Sequence, residues 1–218
     1  MPGYDFHIHS VFSDGELIPA EIAQRYSVLG YKAVAITDHA DNSNLEFILR
    51  NLVKPCEELS EAFDLEVIPG IEFTHVPPKM LDDLVSRAKK LGARVVLVHG
   101  ETLVEPVAPG TNLAAVENPE VDILAHPGLL TLEEAELARD NDIYLELSTR
   151  RGHSLSNGHV ARIAQEAKAR LILNTDLHSP EELLDPGDAV DFAMAAGLDK
   201  KHSKIVASVN PRTLLSSI

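Results

Sequence analysis

Residues 4–10 read Tyr-Asp-Phe-His-Ile-His-Ser, a strand-forming run that carries His7 and His9 at its end. Alternate residues of a strand project to the same face, so His7 and His9 point into one space, pre-positioned by one rigid element. The same ending recurs along the chain. The apolar run 33–37 is followed by Asp38 and His39, the run 66–71 by Glu72, 94–98 by His99 and 121–125 by His126. The run 143–147 contains Glu146, and 171–175 leads into Asp176 and His178. Helix-like segments lie between these runs, at 19–29, 44–62, 79–91, 131–139, 156–169 and 188–196; the first has Pro19 early and Gly30 just past its end. Segments 110–118 and 200–218 have no clear pattern.

Strands alternating with helices predict a parallel sheet with helical crossovers. Runs such as 95–98 are apolar at consecutive positions, as in strands buried on both faces. A doubly wound open sheet and a closed barrel both fit this periodicity, and the polar residues decide between them. In an open sheet, seven ligand-bearing strand ends form a line partly covered by helices. In a barrel they form a ring around one space, where enzymes of this architecture carry their sites. A ring of ligands is useful only if it converges, so an α/β barrel of seven strands is expected.

Length and composition agree with one domain spanning 1–218. The chain has 218 residues, 44% hydrophobic and 24% charged. No apolar run approaches the roughly 18 residues of a membrane span. The first ten residues carry Asp5 and two histidines, which argues against a signal peptide. Cys56 is alone, so no internal disulfide forms, and a cytoplasmic location is expected. The formal charge of -15 predicts repulsion of phosphate backbones, so no stable nucleic-acid complex is expected; the partner is expected to be a small phosphorylated substrate.

Imidazole together with carboxylate suits Zn, Mn or Fe, whereas Mg and Ca prefer all-oxygen sites. A single histidine at a strand end is usually structural. Six of the ten histidines at such ends, joined by Glu72 and Asp176, are poorly explained by chance.

These segments resemble the PHP (polymerase and histidinol phosphatase) family over nearly the whole chain. The resemblance rests on Asp5-Phe6-His7-Ile8-His9-Ser10 followed by Ser13-Asp14-Gly15, then Ile36-Thr37-Asp38-His39 and Gly70-Ile71-Glu72. It continues through Val98-His99-Gly100, Ala125-His126-Pro127-Gly128 and Thr175-Asp176-Leu177-His178. It implies a distorted TIM-like (β/α)7 barrel holding three divalent metal ions at the C-terminal ends of the strands. By the same resemblance, one ion takes His7, His9, Glu72 and Asp176; a second takes Glu72, His99 and His126; a third takes Asp14, His39 and His178. A hydroxide bridging the first two would attack phosphorus, with Glu72, Asp176 and His178 as the catalytic set. The resemblance therefore implies a phosphoesterase acting on a histidinol-phosphate-like or nucleotide substrate.

Other residues are expected nearby. Asp38 is a candidate to orient a ligand ring by accepting its second N–H, or a strand-end cap; Glu146 is a candidate base just outside the ligand ring or a structural hydrogen-bond acceptor. Arg150, Arg151 and His153 follow the sixth strand in a Gly152 loop, where loops shape substrate pockets, and Arg is suited to bidentate phosphate binding. Residues 101–112 are a candidate lid, and His75 a candidate pocket residue. His159, His202 and Cys56 read as packing or surface residues. Two rival functions stand beside the phosphoesterase. A metal-dependent amidohydrolase shares the His-x-His strand, but it normally lacks the counterpart of His39 and often uses a mid-strand Lys, not found here. A non-catalytic ligand-binding barrel is expected to have lost ligands.

Overall fold

The computed structural model describes residues 2–218. Eight strands and nine α-helices alternate. They run β1 (Gly3–Ile8), α1 (Pro19–Val28), β2 (Tyr31–Ile36), β3 (His39–Ala40), α2 (Leu45–Ala62), β4 (Glu66–Phe73), α3 (Leu81–Lys90) and β5 (Val95–His99). Then come α4 (Thr111–Glu117), β6 (Ile123–Ala125), α5 (Leu132–Asp140), β7 (Tyr144–Ser148), α6 (Asn157–Ala167) and β8 (Leu171–Asn174). The chain ends in α7 (Ala189–Ala195), α8 (Lys200–Lys204) and α9 (Asn210–Ser217), with a π turn at Ile205–Val209 between the last two. Pro211 follows that turn and has no N–H to give an α-helical bond, a common setting for a π bulge.

All strand pairs are parallel, in the order β1-β2-β4-β5-β6-β7-β8. β3 pairs with β4 in unchanged register with β2, since Ile36 faces Pro69 and His39 faces Glu72. It is the same stave, interrupted at Thr37-Asp38, so the barrel has seven staves. Closure comes at the C-terminal end of the strands. Ile8 bridges Leu177, and the His9 amide donates to the Leu177 carbonyl at 2.8 Å. The distorted TIM-like barrel is thus the architecture of this chain.

The side chains divide by strand parity. Ala33, Ala35, Ile68, Val95, Leu97, Ile123, Ala125, Tyr144 and Ile172 form a cluster inside the staves. Leu214 of α9 joins it, with Leu215 and Ile218 packed alongside, so the C-terminal helix plugs one mouth. Their neighbours Val34, Val96, Val98, Leu124, Leu145 and Leu173 face outward into a larger cluster shared with the helices. Each inward row therefore begins apolar and ends polar: Ile68 to Glu72, Leu97 to His99, Tyr144 to Glu146. β1 breaks the alternation. Phe6 packs in the inner cluster and Ile8 in the outer one, and the pairing with β2 shifts register between Asp5 and Ile8. A bulge of this kind re-aims side chains. It lets Phe6 fill the barrel while the neighbouring His7 and then His9 reach its polar mouth.

Candidate metal centre

The polar mouth gathers residues from every stave. His7 Nε2 lies 3.3 Å from Glu72 Oε1 and 3.6 Å from Asp176 Oδ1. His9 Nε2 lies 3.3 Å from Asp176 Oδ1 and 3.6 Å from Glu72 Oε2. His126 Nε2 is 3.4 Å from Glu72 Oε1. Asp14 Oδ1 is 3.3 Å from His178 Nε2, 3.6 Å from His39 Nε2 and 3.9 Å from His9 Nδ1. Four groups have ligand atoms mutually within 4.8 Å: His9-Asp14-His39-His178, His99-His126-His153, His7-Glu72-His126 and His7-His9-Asp176.

These distances exceed hydrogen bonds in many cases, and that matters. His7 Nε2, both ring nitrogens of His9, Glu72 Oε1 and His126 Nδ1 are buried without a hydrogen-bond partner. Leaving such atoms unpaired costs about 1–3 kcal/mol each, so their clustering needs a compensating partner. Most of them face one another across a few ångströms, where a cation would satisfy several at once. The residues fit divalent ions.

The rings are also held the way ligand rings are held. His7 Nδ1 donates to Glu146 Oε1 at 2.8 Å, His99 Nδ1 to the Gly100 carbonyl at 3.1 Å, and His178 Nδ1 to the Asp176 carbonyl at 2.9 Å. The first two bonds turn Nε2 toward the cavity and fix its tautomer, whereas His178 Nδ1 also meets Arg150 Nη1. Glu146 accepts further from Asn174 Nδ2 at 2.8 Å and from the His126 amide at 3.1 Å. His126 and Asp176 take positive φ angles of 28° and 57°, which non-glycine residues adopt uncommonly. Gly15 is needed where it is, because a Cβ there would run into the His9 carbonyl and displace the turn that carries Asp14.

Burial opposes charge on all these groups, and their neighbours decide the outcome. At His7 the carboxylates of Glu146, Glu72 and Asp176 outweigh burial and raise the pKa. At His9 burial acts together with repulsion from His39, and the ring is held neutral, as a ligand must be. At Asp14 burial is overcome by the hydrogen bond to His178 and the charge of His39, and the pKa falls to about 2.

Two expectations are corrected. Asp38 does not face an imidazole: its carboxylate accepts from the Ser10 amide (2.8 Å) and the Ser10 and Ser13 hydroxyls (both 2.7 Å). It organises the loop after β1, because the backbone turn at Ser10 brings two hydroxyls closer to it than any ring. Arg150 and Arg151 do not face the cavity as a pair either. Arg150 lines the cavity, where Nη1 donates to the Asp176 carbonyl at 3.1 Å and meets Glu182 at 3.2 Å, whereas Arg151 is exposed and outside it. The cavity, about 250 Å³, is walled by Asp14, His39, His99, His126, Asp176 and His178, with His75 and His153 also lining it. Glu105, which drew no attention in the sequence, enters it from the loop after β5. Its only signal was membership of a segment read as a lid. His159 and His202 stand elsewhere, bonded to the Leu130 carbonyl and to Asp199.

The PHP domain family model matches residues 5–173, and the chain belongs to this family. It is 47% identical to the uncharacterized protein MJ1295 of Methanocaldococcus jannaschii, over 99% of both chains. It is 28% identical to Ribonuclease P protein component 3 of Methanosarcina barkeri, covering 98% of this chain and 88% of that one. Among solved structures, archaeal Ribonuclease P with mature tRNA matches with a TM-score of 0.73 at 17% identity, over 98% of this chain and 90% of that one. The zinc-, L-histidinol- and phosphate-bound histidinol phosphate phosphatase of Lactococcus lactis matches at 0.64 and 15% identity, over 90% and 94%. At these identities the solved structures share the fold.

The ribonuclease P likenesses overturn the exclusion of a nucleic-acid complex drawn from the formal charge of -15. Net charge is a sum over the whole molecule. Screening confines each surface charge to about 8 Å at physiological ionic strength, so local charge, bound cations and neighbouring subunits decide contact.

Proposed function

We propose that this chain is a metal-dependent phosphoesterase. The observation that carries the reading is the set of buried, unpartnered ligand atoms on His7, His9 and Glu72 beside a cavity that also holds an arginine. His7, His9, Glu72 and Asp176 would hold one ion, Glu72, His99 and His126 a second, and Asp14, His39 and His178 a third. Bound ions would supply Lewis acidity, lowering the pKa of water toward about 7 and neutralising charge on phosphate oxygens.

The chain's own residues do the rest. Glu72 presents Oε1 to His7 and His126 and Oε2 to His9 and His39, so one carboxylate ties neighbouring ligand groups together. Arg150, braced by Glu182 and the Asp176 carbonyl, offers positive charge to an anionic group entering the cavity. A cavity of about 250 Å³ suits a small phosphorylated substrate, or the terminal phosphate of a larger one. The test is hydrolysis of p-nitrophenyl phosphate and a panel of phosphorylated metabolites with Zn, Mn and Fe supplied separately. The reading expects turnover that exhaustive chelation abolishes and added metal restores. Fully loaded protein that hydrolyses none of them would contradict it.

The likeness to Ribonuclease P protein component 3 favours a second reading, in which the barrel serves an RNA-containing assembly. Purification from its native cells followed by RNA sequencing separates the two: enrichment of a discrete RNA supports assembly, and its absence alongside turnover supports the enzyme alone.

A further inference from the structure

The ligand sets implied by the family resemblance leave His153 and Glu105, among other residues lining the cavity, without a role. His153 is buried, 4% exposed, on the loop after β7. Its Nδ1 is held by Thr102 Oγ1 at 2.8 Å, so Nε2 is turned into the cavity, as in the ligand rings above. Its ring stacks on that of His126 at 4.0 Å and meets that of His99 edge-on at 5.9 Å. The ligand atoms of these three histidines lie within 4.8 Å of one another, the span of one coordination polyhedron with metal–nitrogen bonds of about 2.1 Å.

Glu105 supplies the missing charge. Its Oε2 lies 3.1 Å from His99 Nε2 and 3.5 Å from His75 Nε2, and its Oε1 3.4 Å from His153 Nε2. The loop that carries it is fastened at its neck. Glu101 Oε1 accepts from the Gly110 and Asn112 amides at 2.9 and 3.1 Å, and Asn112 Nδ2 donates to the Pro127 carbonyl at 2.8 Å. Thr102, in the same loop, is the residue that aims His153. Two loops from separate staves are thus coupled to each other and to one point.

We propose that His153 and Glu105 are ligands of the ion at the His99-His126 cluster, giving that ion a shell of three imidazoles and a removable carboxylate besides Glu72. Deepening the function proposed above, this rests on the same metal-binding reading. Glu105 sits on the open side of the cavity, 39% exposed at its side chain, whereas Glu72 is fully buried. Of the two carboxylates, Glu105 would therefore be the one within reach of an anion entering the cavity.

The experiment compares metal content and affinity in the wild type, His153→Gln, Glu105→Gln and Arg151→Ala, by elemental analysis after dialysis and by Zn titration. The wild type and Arg151→Ala are expected to retain three ions. His153→Gln is expected to lose one ion, or to bind it at least about tenfold more weakly. Glu105→Gln is expected to weaken the same site and to bind inorganic phosphate more tightly once saturated with Zn. Thermal melting identifies a variant that fails to fold, in which case His153→Asn replaces it. If both variants keep three ions at wild-type affinity, the two residues are not metal ligands and the proposal is wrong. A wild type that binds no divalent ion overturns the metal-binding reading itself, a separate outcome.

Discussion

Glu146 shows how much one buried residue settles. Its Oε1 accepts from His7 and Asn174, and its Oε2 from the His126 amide. A glutamine in its place can accept on only one side, so either a ligand ring or the strained His126 backbone loses its tether. Glu146→Gln is expected to lower Zn affinity by about 10–100-fold without removing any ligand, measured by competition with a chelating dye. Unchanged affinity would mean that the ring needs no orienting partner. Cys56 makes the opposite case. Burial foremost, with the charges of Asp38 and Glu57, pushes its thiol up to about 12 from 9.0. A raised pKa depletes thiolate at every pH below it, so native protein at pH 8 is expected to resist a maleimide that labels it fully in denaturant. Stoichiometric labelling of the native state would show the thiol to be accessible and ionisable.

At the scale of elements, most of the barrel was legible because polarity switches at the end of each stave. Runs 94–98 and 143–147 match β5 and β7 within one or two residues. Two helical segments were not legible for physical reasons. α4 has seven residues and buries Thr111 and Asn112, which breaks the apolar pattern. The run 200–217 changes helical pitch at a π turn, so its apolar positions follow no single period. The bulge in β1 was hidden too: strict alternation predicts His7 and His9 on one face but puts Phe6 on the other, and only the register shift brings all three inside. α5 carries the clearest local signal. Thr131 Oγ1 accepts from the Glu134 amide at 3.2 Å, and Glu134 Oε2 accepts from the Thr131 amide at 2.6 Å, a full capping box. Thr131→Ala is expected to cost about 1 kcal/mol in urea denaturation. A loss within error would mean that packing of α5, rather than its cap, holds it in place.

For the molecule as a whole, the sequence revealed a ring of imidazoles and carboxylates at the strand ends and concealed what the loops do with it. Strand ends are fixed by the barrel, so His7, Glu72, His99, His126 and Asp176 could be placed by counting along staves. Glu105 and Asp38 could not, because their partners are set by loop paths that carry no periodicity. Net charge misled for a related reason: it averages over a surface on which contacts are local. Among the described residues no helix is long and apolar enough to cross a membrane. What the fold achieves is convergence, an apolar barrel plugged at one mouth by α9 and lined at the other by imidazoles and carboxylates with too few partners of their own. Anomalous diffraction from crystals grown with Zn tests that convergence most directly. Strong peaks are predicted within bonding distance of Glu72, toward His7 and His9 on one side and toward His99 and His126 on the other, with a further peak among Asp14, His39 and His178. Zn-saturated crystals with no peak touching Glu72 would contradict that convergence.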